Sequence, residues 1–174
     1  EAARRLIEGT ADAVATAPVS KEALQSVGFQ FPGQTEFFAD AFGVGDFGML
    51  LTGPTLTVGL ATIHEPLADI PSLLTPEKIH RIGSLTAGFL KKRGKHSPRI
   101  AVAGLNPHAG ENGAFGSEEQ TIIAPAIARL NTLGSATFHG PGVPDAIFRD
   151  AARGDFDAVI AMYHDQGLIP LKLQ

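Results

Sequence analysis

At 174 residues the chain is long enough to bury a sizeable core, and its length fits one domain. A formal charge of −4 with 18% charged residues argues against the clustered basic face that a nucleic-acid backbone requires. The lack of cysteine excludes disulfides, thiolate metal sites and a cysteine nucleophile, and no apolar run approaches the ~18 residues of a membrane span.

Glu1 to Gly9 reads as the end of an amphipathic helix, and Ala11–Thr16, small and apolar, reads as a buried strand. Ser20 is a good N-cap for a helix through Val27. Gly28–Gly33 reads as a loop, and Thr35–Ala41 as a helix carrying Phe37 and Phe38. Gly48–Leu51 and Leu56–Thr62 are strands joined by Thr52-Gly53-Pro54-Thr55, which predicts an antiparallel hairpin. Asp69–Leu74 is a short helix or turn. Thr75 then caps a long helix that opens on Pro76 and sets Ile79, Ile82, Leu85 and Phe89 on one face. The basic run Lys91–His96 suits that helix's C-terminus, where cations complement the dipole and Gly94 is a stop.

Arg99–Ala103 is a strand, and Gly104–Gly113 is a loop that holds His108 between Pro107 and Ala109. Glu118–Leu133 is a helix ended by Gly134, Ala136–His139 a strand, and Pro144–Arg153 a helix. Ala158–Tyr163 is a buried strand leading into a loop at His164, with no helix expected before Gln174. Strands alternating with helices, plus one hairpin, predict an α/β fold with a mixed sheet flanked by helices. The chain opens without an initiator methionine and reads as a piece of a longer protein.

His64, His108 and His164 share one situation: each comes just past an apolar strand, beside turn residues. Loops at the carboxyl ends of strands are where α/β proteins place their chemistry. Neutral imidazoles brought together there suit a divalent metal with an open position for substrate. Their separations are far longer than a compact metal-binding motif, so the sheet has to bring them together. Each alone also fits a loop histidine bonded to a carbonyl. His80, His96 and His139 read as surface residues.

Asp165 adjoins His164 and suits support of a metal-binding imidazole or a substrate contact. Asp145 fits a plain helix-start acid. Lys172 offers a cation to a phosphate or carboxylate, and otherwise is a solvated lysine. Thr35, near a helix start, offers a hydroxyl and amides to an anion or serves as a cap.

Three segments carry a resemblance: Gly33-Gln34-Thr35-Glu36-Phe37-Phe38, Leu105-Asn106-Pro107-His108-Ala109-Gly110-Glu111 and Ala161-Met162-Tyr163-His164-Asp165-Gln166-Gly167. Together, from about Ala11 onward, the chain resembles the 4-hydroxythreonine-4-phosphate dehydrogenases of pyridoxal phosphate (vitamin B6) biosynthesis. The resemblance implies an isocitrate/isopropylmalate-dehydrogenase-like fold and a cytoplasmic homodimer with active sites at the subunit interface. It implies that His64, His108 and His164 are ligands of a divalent metal (zinc, cobalt or magnesium), with His164 supplied by the partner subunit. Thr35 and Lys172 fall on substrate-binding positions, and Asp145 and Asp165 on nearby polar contacts.

The implied reaction is oxidation and decarboxylation of a phosphorylated hydroxy-amino acid with NAD or NADP. Gln34 departs from the family's usual substrate-binding histidine; it donates or accepts a hydrogen bond but carries no charge. That departure keeps open a related dehydrogenase for another four-carbon acid phosphate or a cyclic dihydrodiol carboxylate. A non-catalytic metal-binding relative is a further reading. The family's N-terminal and C-terminal parts, with their dinucleotide contacts, lie outside residues 1–174.

Overall fold

The computed structural model describes residues 1–31 and 33–174, with only the backbone of Lys21. Length fits one domain, yet the chain forms two compact units, Glu1–Phe47 and Gly48–Gln174. The first has little apolar interior, Ala3 being its only buried hydrophobic among the described residues.

In that unit α1 spans Ala2–Ile7, α2 Lys21–Ser26 and α3 Gln34–Ala41. The Ser20 hydroxyl accepts from the Ala23 amide, making the expected N-cap. Phe37 is central to an aromatic cluster, with ring centroids 5.3–5.7 Å from Phe29, Phe31 and Phe38. Pro32, within the expected 28–33 loop, lies outside the described residues. Ala11–Thr16 is not the buried strand that its composition suggests. It is irregular, Asp12–Thr16 are exposed, and its alanines offer little surface to reward burial.

The second unit is a five-stranded mixed sheet in the order β1-β2-β5-β3-β4, with helices on both faces. β1 (Leu50–Thr52) and β2 (Thr57–Leu60) form the antiparallel hairpin. β2 then runs parallel to β5 (Ala158–Ala161), β5 to β3 (Arg99–Ala103), and β3 to β4 (Thr137–Gly142). The helices are α4 (Ile70–Leu73), α5 (Pro76–Lys92), α6 (Ala124–Thr132), α7 (Pro144–Ala152) and α8 (His164–Lys172). The Thr75 hydroxyl caps α5 by accepting from the Lys78 amide.

The two-residue period of a strand sorts the core. Ile100, Val102 and Ile160 face α5 and α6, joining Ile79, Ile82, Leu90 and Leu130. Ala101, Ala103, Val159 and Ala161 face the other way, with Ile147, Phe148 and Leu168. All four residues of β5 are buried, as a strand covered on both faces requires.

The loop expected after His164 is a helix. Gly167 and Pro170 argue locally against one, but α8 buries Gln166, Gly167 and Leu168 against the sheet. Burying a leucine contributes about 1.5–3 kcal/mol, enough to outweigh weak local propensity. Gly167 allows the close approach, since a Cβ there would stand 2.7 Å from Val58 Cγ1 and 3.0 Å from Leu60 Cδ2. The expected helix from Glu118 opens instead as a π-helical turn over Glu119–Ile123 before α6.

Candidate active site

β2, β5 and β3 are neighbours and run parallel, so the segments after them leave from one edge of the sheet. Those segments carry His64, His164 and His108 respectively. The β2–β5 ladder continues past the strands: the Ala61 amide donates to the Ala161 carbonyl at 2.9 Å. The Thr62 amide donates to the Met162 carbonyl at 3.2 Å, and the Thr62 hydroxyl donates to that same oxygen at 2.7 Å, buried. With the backbones fixed this far, the His64 and His164 rings lie 5.4 Å apart between centroids. The two imidazoles of one chain therefore lie side by side at this edge.

His164 is the first residue of α8, and its Nδ1 lies 2.6 Å from Asp165 Oδ1. An ionised carboxylate only accepts, so Nδ1 is the donor, and in the neutral imidazole Nε2 then keeps its lone pair for a metal or substrate. The two histidines, Glu65 and Asp165 line a cleft of about 370 Å³ whose apolar wall includes Ile63, Leu67, Ile70 and Tyr163. Its size and mixed lining suit a small polar molecule.

His108 opens a left-handed turn. His108, Ala109, Gly110, Glu111 and Asn112 have φ of 53°, 53°, 76°, 41° and 56°. Four of these are not glycine, and each such residue costs roughly 1–2 kcal/mol. Its ring lies 6.2 Å from the Phe115 ring, and His108 does not line the His64–His164 cleft.

Two buried polar side chains that sequence reasoning missed fasten this turn to the sheet edge. Glu119, 4% exposed, accepts the Leu105 and Asn106 amides on Oε1 at 2.8 and 2.7 Å, and Asn106 Nδ2 on Oε2 at 3.0 Å. Burial alone would raise its pKa, but these bonds outweigh it and hold the carboxyl below its ordinary value. Gln166 Oε1 accepts the Met162 amide at 2.6 Å, and its Nε2 donates to the Gly104 carbonyl at 2.7 Å. One amide thus joins the His164 helix to the start of the His108 loop. Neither residue carries a local signal, because a glutamate near a helix start ordinarily reads as a solvated dipole partner.

Of the other predicted residues, Asp145 is exposed in the first turn of α7, where its helix-start reading places it. Lys172 is exposed in the last turn of α8, about 12 Å along the helix from His164. Gln34 and Thr35 open α3 in the first unit, Gln34 half-buried beside a small pocket with Phe29 and Phe31. His96 and His139 are exposed. His80, expected at the surface, is half-buried, and its Nε2 is enclosed without a partner. Burial, then the nearby Arg129, lowers its pKa against the pull of Glu77.

Among the described residues, no three His, Asp or Glu side chains converge closely enough to hold a metal ion. The His64–His164 pair nonetheless fits a divalent ion that favours imidazole, with Asp165 setting the tautomer as a metal-binding histidine needs.

The model of the family "Pyridoxal phosphate biosynthetic protein PdxA" matches residues 1–174. The 4-hydroxythreonine-4-phosphate dehydrogenase of Geobacter metallireducens is 51% identical over 173 residues, 99% of this chain and 51% of that protein. The solved 4-hydroxythreonine-4-phosphate dehydrogenase of Klebsiella pneumoniae superposes with a TM-score of 0.94 at 44% identity, covering 99% of this chain and 52% of that one. A terephthalate 1,2-cis-dihydrodiol dehydrogenase from Burkholderia xenovorans gives 0.79 at 34% identity, covering 99% and 54%. The chain spans about half the length of the curated relatives it matches.

Proposed function

The chain belongs to the PdxA family of pyridoxal phosphate biosynthetic proteins, and from that premise we propose that it forms the metal-binding part of a 4-hydroxythreonine-4-phosphate dehydrogenase. The reaction is oxidation of the secondary alcohol of 4-(phosphooxy)-L-threonine by NAD or NADP, followed by loss of the carboxylate as CO2. The product is 3-amino-2-oxopropyl phosphate. The observation that carries this reading is the His64–His164 pair at the carboxyl edge of the sheet, with Asp165 on the Nδ1 side of His164.

His64 and His164 are proposed as ligands of zinc, cobalt or magnesium, with His108 as the third. When bound, such an ion supplies Lewis acidity at the substrate's hydroxyl and carbonyl oxygens. Asp165 keeps the Nδ1 proton of His164 and so presents Nε2. Lys172 is assigned to the substrate's phosphate. A lysine side chain and a phosphorylated four-carbon acid together bridge the roughly 12 Å along α8. Thr35 contributes its hydroxyl, Gln34 a neutral amide, and Asp145 a polar contact. The working form is proposed to be a cytoplasmic homodimer with the active site shared between subunits.

The experiment is to follow NADH or NADPH formation with added divalent metal and 4-phosphohydroxythreonine. Reduction that disappears on chelation and in His64→Ala supports the reading; no reduction of either dinucleotide overturns it. A second reading, a cyclic dihydrodiol carboxylate as substrate, is favoured by uncharged Gln34 and by the likeness to the Burkholderia dihydrodiol dehydrogenase. The same assay with such a diol decides between them.

A further inference from the structure

Glu119 takes no part in the chemistry proposed above, yet the His108 turn is built around its carboxylate. It is bonded to the two amides that precede Pro107 and to the Asn106 side chain, and nothing in its position serves solvent. The turn also leaves room for it. A Cβ at Gly110 would stand 2.5 Å from Glu119 Oε2, and one at Gly104 would stand 3.1 Å from Oε1. Glycine at these two points lets the chain fold over the carboxylate. Five consecutive residues with positive φ, four of them not glycine, persist only where surrounding contacts over-determine them. Within the turn, the Ala109 amide donates to the Asn106 carbonyl and the Phe115 amide to the Gly110 carbonyl. Glu119 fixes the residue from which the turn starts.

We propose that Glu119 is a positioning residue for His108, its buried carboxylate holding Leu105 and Asn106 so that the left-handed turn presents the His108 imidazole in one orientation. The consequence for metal binding rests on His108 being a ligand, as proposed above.

The test uses Glu119→Gln and Glu119→Asp in the whole protein, with His108→Ala for assignment. Glutamine keeps the shape but turns N–H groups toward a site lined by donors. Aspartate keeps the charge but falls a methylene short of spanning both amides and Asn106. The first readout is the set of histidine ring resonances by NMR, without metal. The inference expects His108 to shift in both variants while His96 and His139 stay in place and circular dichroism is unchanged. An unmoved His108 overturns it, as does a change spread equally over His96 and His139. If the glutamine variant does not fold, the aspartate variant decides.

The second readout is Co2+ affinity by titration. Loss of about tenfold is expected in the glutamine variant. No further loss is expected when His108→Ala is already present, because the effect runs through that ring. Equal loss in that background overturns the inference. Co2+ binding indifferent to His108→Ala overturns the metal reading instead, and the ring resonances still decide the role of Glu119.

Discussion

The Thr62 hydroxyl donates to the Met162 carbonyl at 2.7 Å, on the same oxygen that accepts the Thr62 amide where the β2–β5 ladder runs on past its last register pair, Leu60 and Ala161. This bond sets where the two chains part, and His64 and His164 each follow two residues later. Thr62→Val keeps the shape and removes the donor. A stability loss of about 1 kcal/mol is expected, read as a lower urea midpoint at unchanged slope.

Asp165→Asn tests the tautomer of His164. An asparagine can turn its N–H2 toward Nδ1 and allow the proton to move to Nε2. Divalent-metal affinity is expected to fall about 10- to 100-fold with the fold intact, as for other groups behind a metal-binding histidine. Titration with Co2+ measures it, and wild-type affinity in this variant would remove Asp165 from the site.

Gly167→Ala sets two effects against each other. Alanine favours a helix by about 1 kcal/mol over glycine. Its Cβ would meet Val58 Cγ1 at 2.7 Å, and overpacking of that kind costs about 1–3 kcal/mol. The net expectation is a lower thermal midpoint.

What the sequence made legible follows from how each signal arises. The hairpin, the Ser20 and Thr75 caps and the buried character of β5 depend on local chemistry, and the structure has them where that chemistry puts them. The placement of three histidines at strand ends was legible, and the sheet order sends all three from one edge. The missing parts are non-local. Ala11–Thr16 has the composition of a strand but gains too little by burial, while α8 forms against its glycine and proline because the sheet rewards it. Glu119 and Gln166 act on backbone groups up to 62 residues away, which no spacing rule reveals.

Acid should weaken the fold in two stages. Burial opposes ionisation of Glu119, but the Asn106 and Leu105 amides and the Asn106 side chain leave its folded pKa lowered. Its contribution is complete above the ordinary glutamate value of about 4.3. As pH falls, the unfolded chain protonates first, and the contribution is lost down through the folded value. His80 is also lowered, by burial first and then Arg129, so the unfolded chain takes up its proton near pH ~6.5 before the folded one does. Urea midpoints at several pH values should fall below neutrality. Glu119→Gln should flatten the more acid part of the curve and His80→Gln the part nearer neutrality.

Gln34→His restores a titratable group at the start of α3. The Michaelis constant for 4-phosphohydroxythreonine is expected to drop several-fold, most at pH values low enough to protonate the new imidazole. An unchanged constant would mean that another residue already compensates for the contact Gln34 lacks.

β5 is the fifth strand in sequence and the third in the sheet. Without it, β1–β2 and β3–β4 are two separate pairs with no hydrogen bonds between them. Closure of the Gly48–Gln174 sheet therefore waits for a segment about a hundred residues beyond β2, a high-contact-order step that slows folding. The ring that lies beside His64, that of His164, arrives only with that insertion. Pairing of His64 with His164 is the signature of the completed sheet.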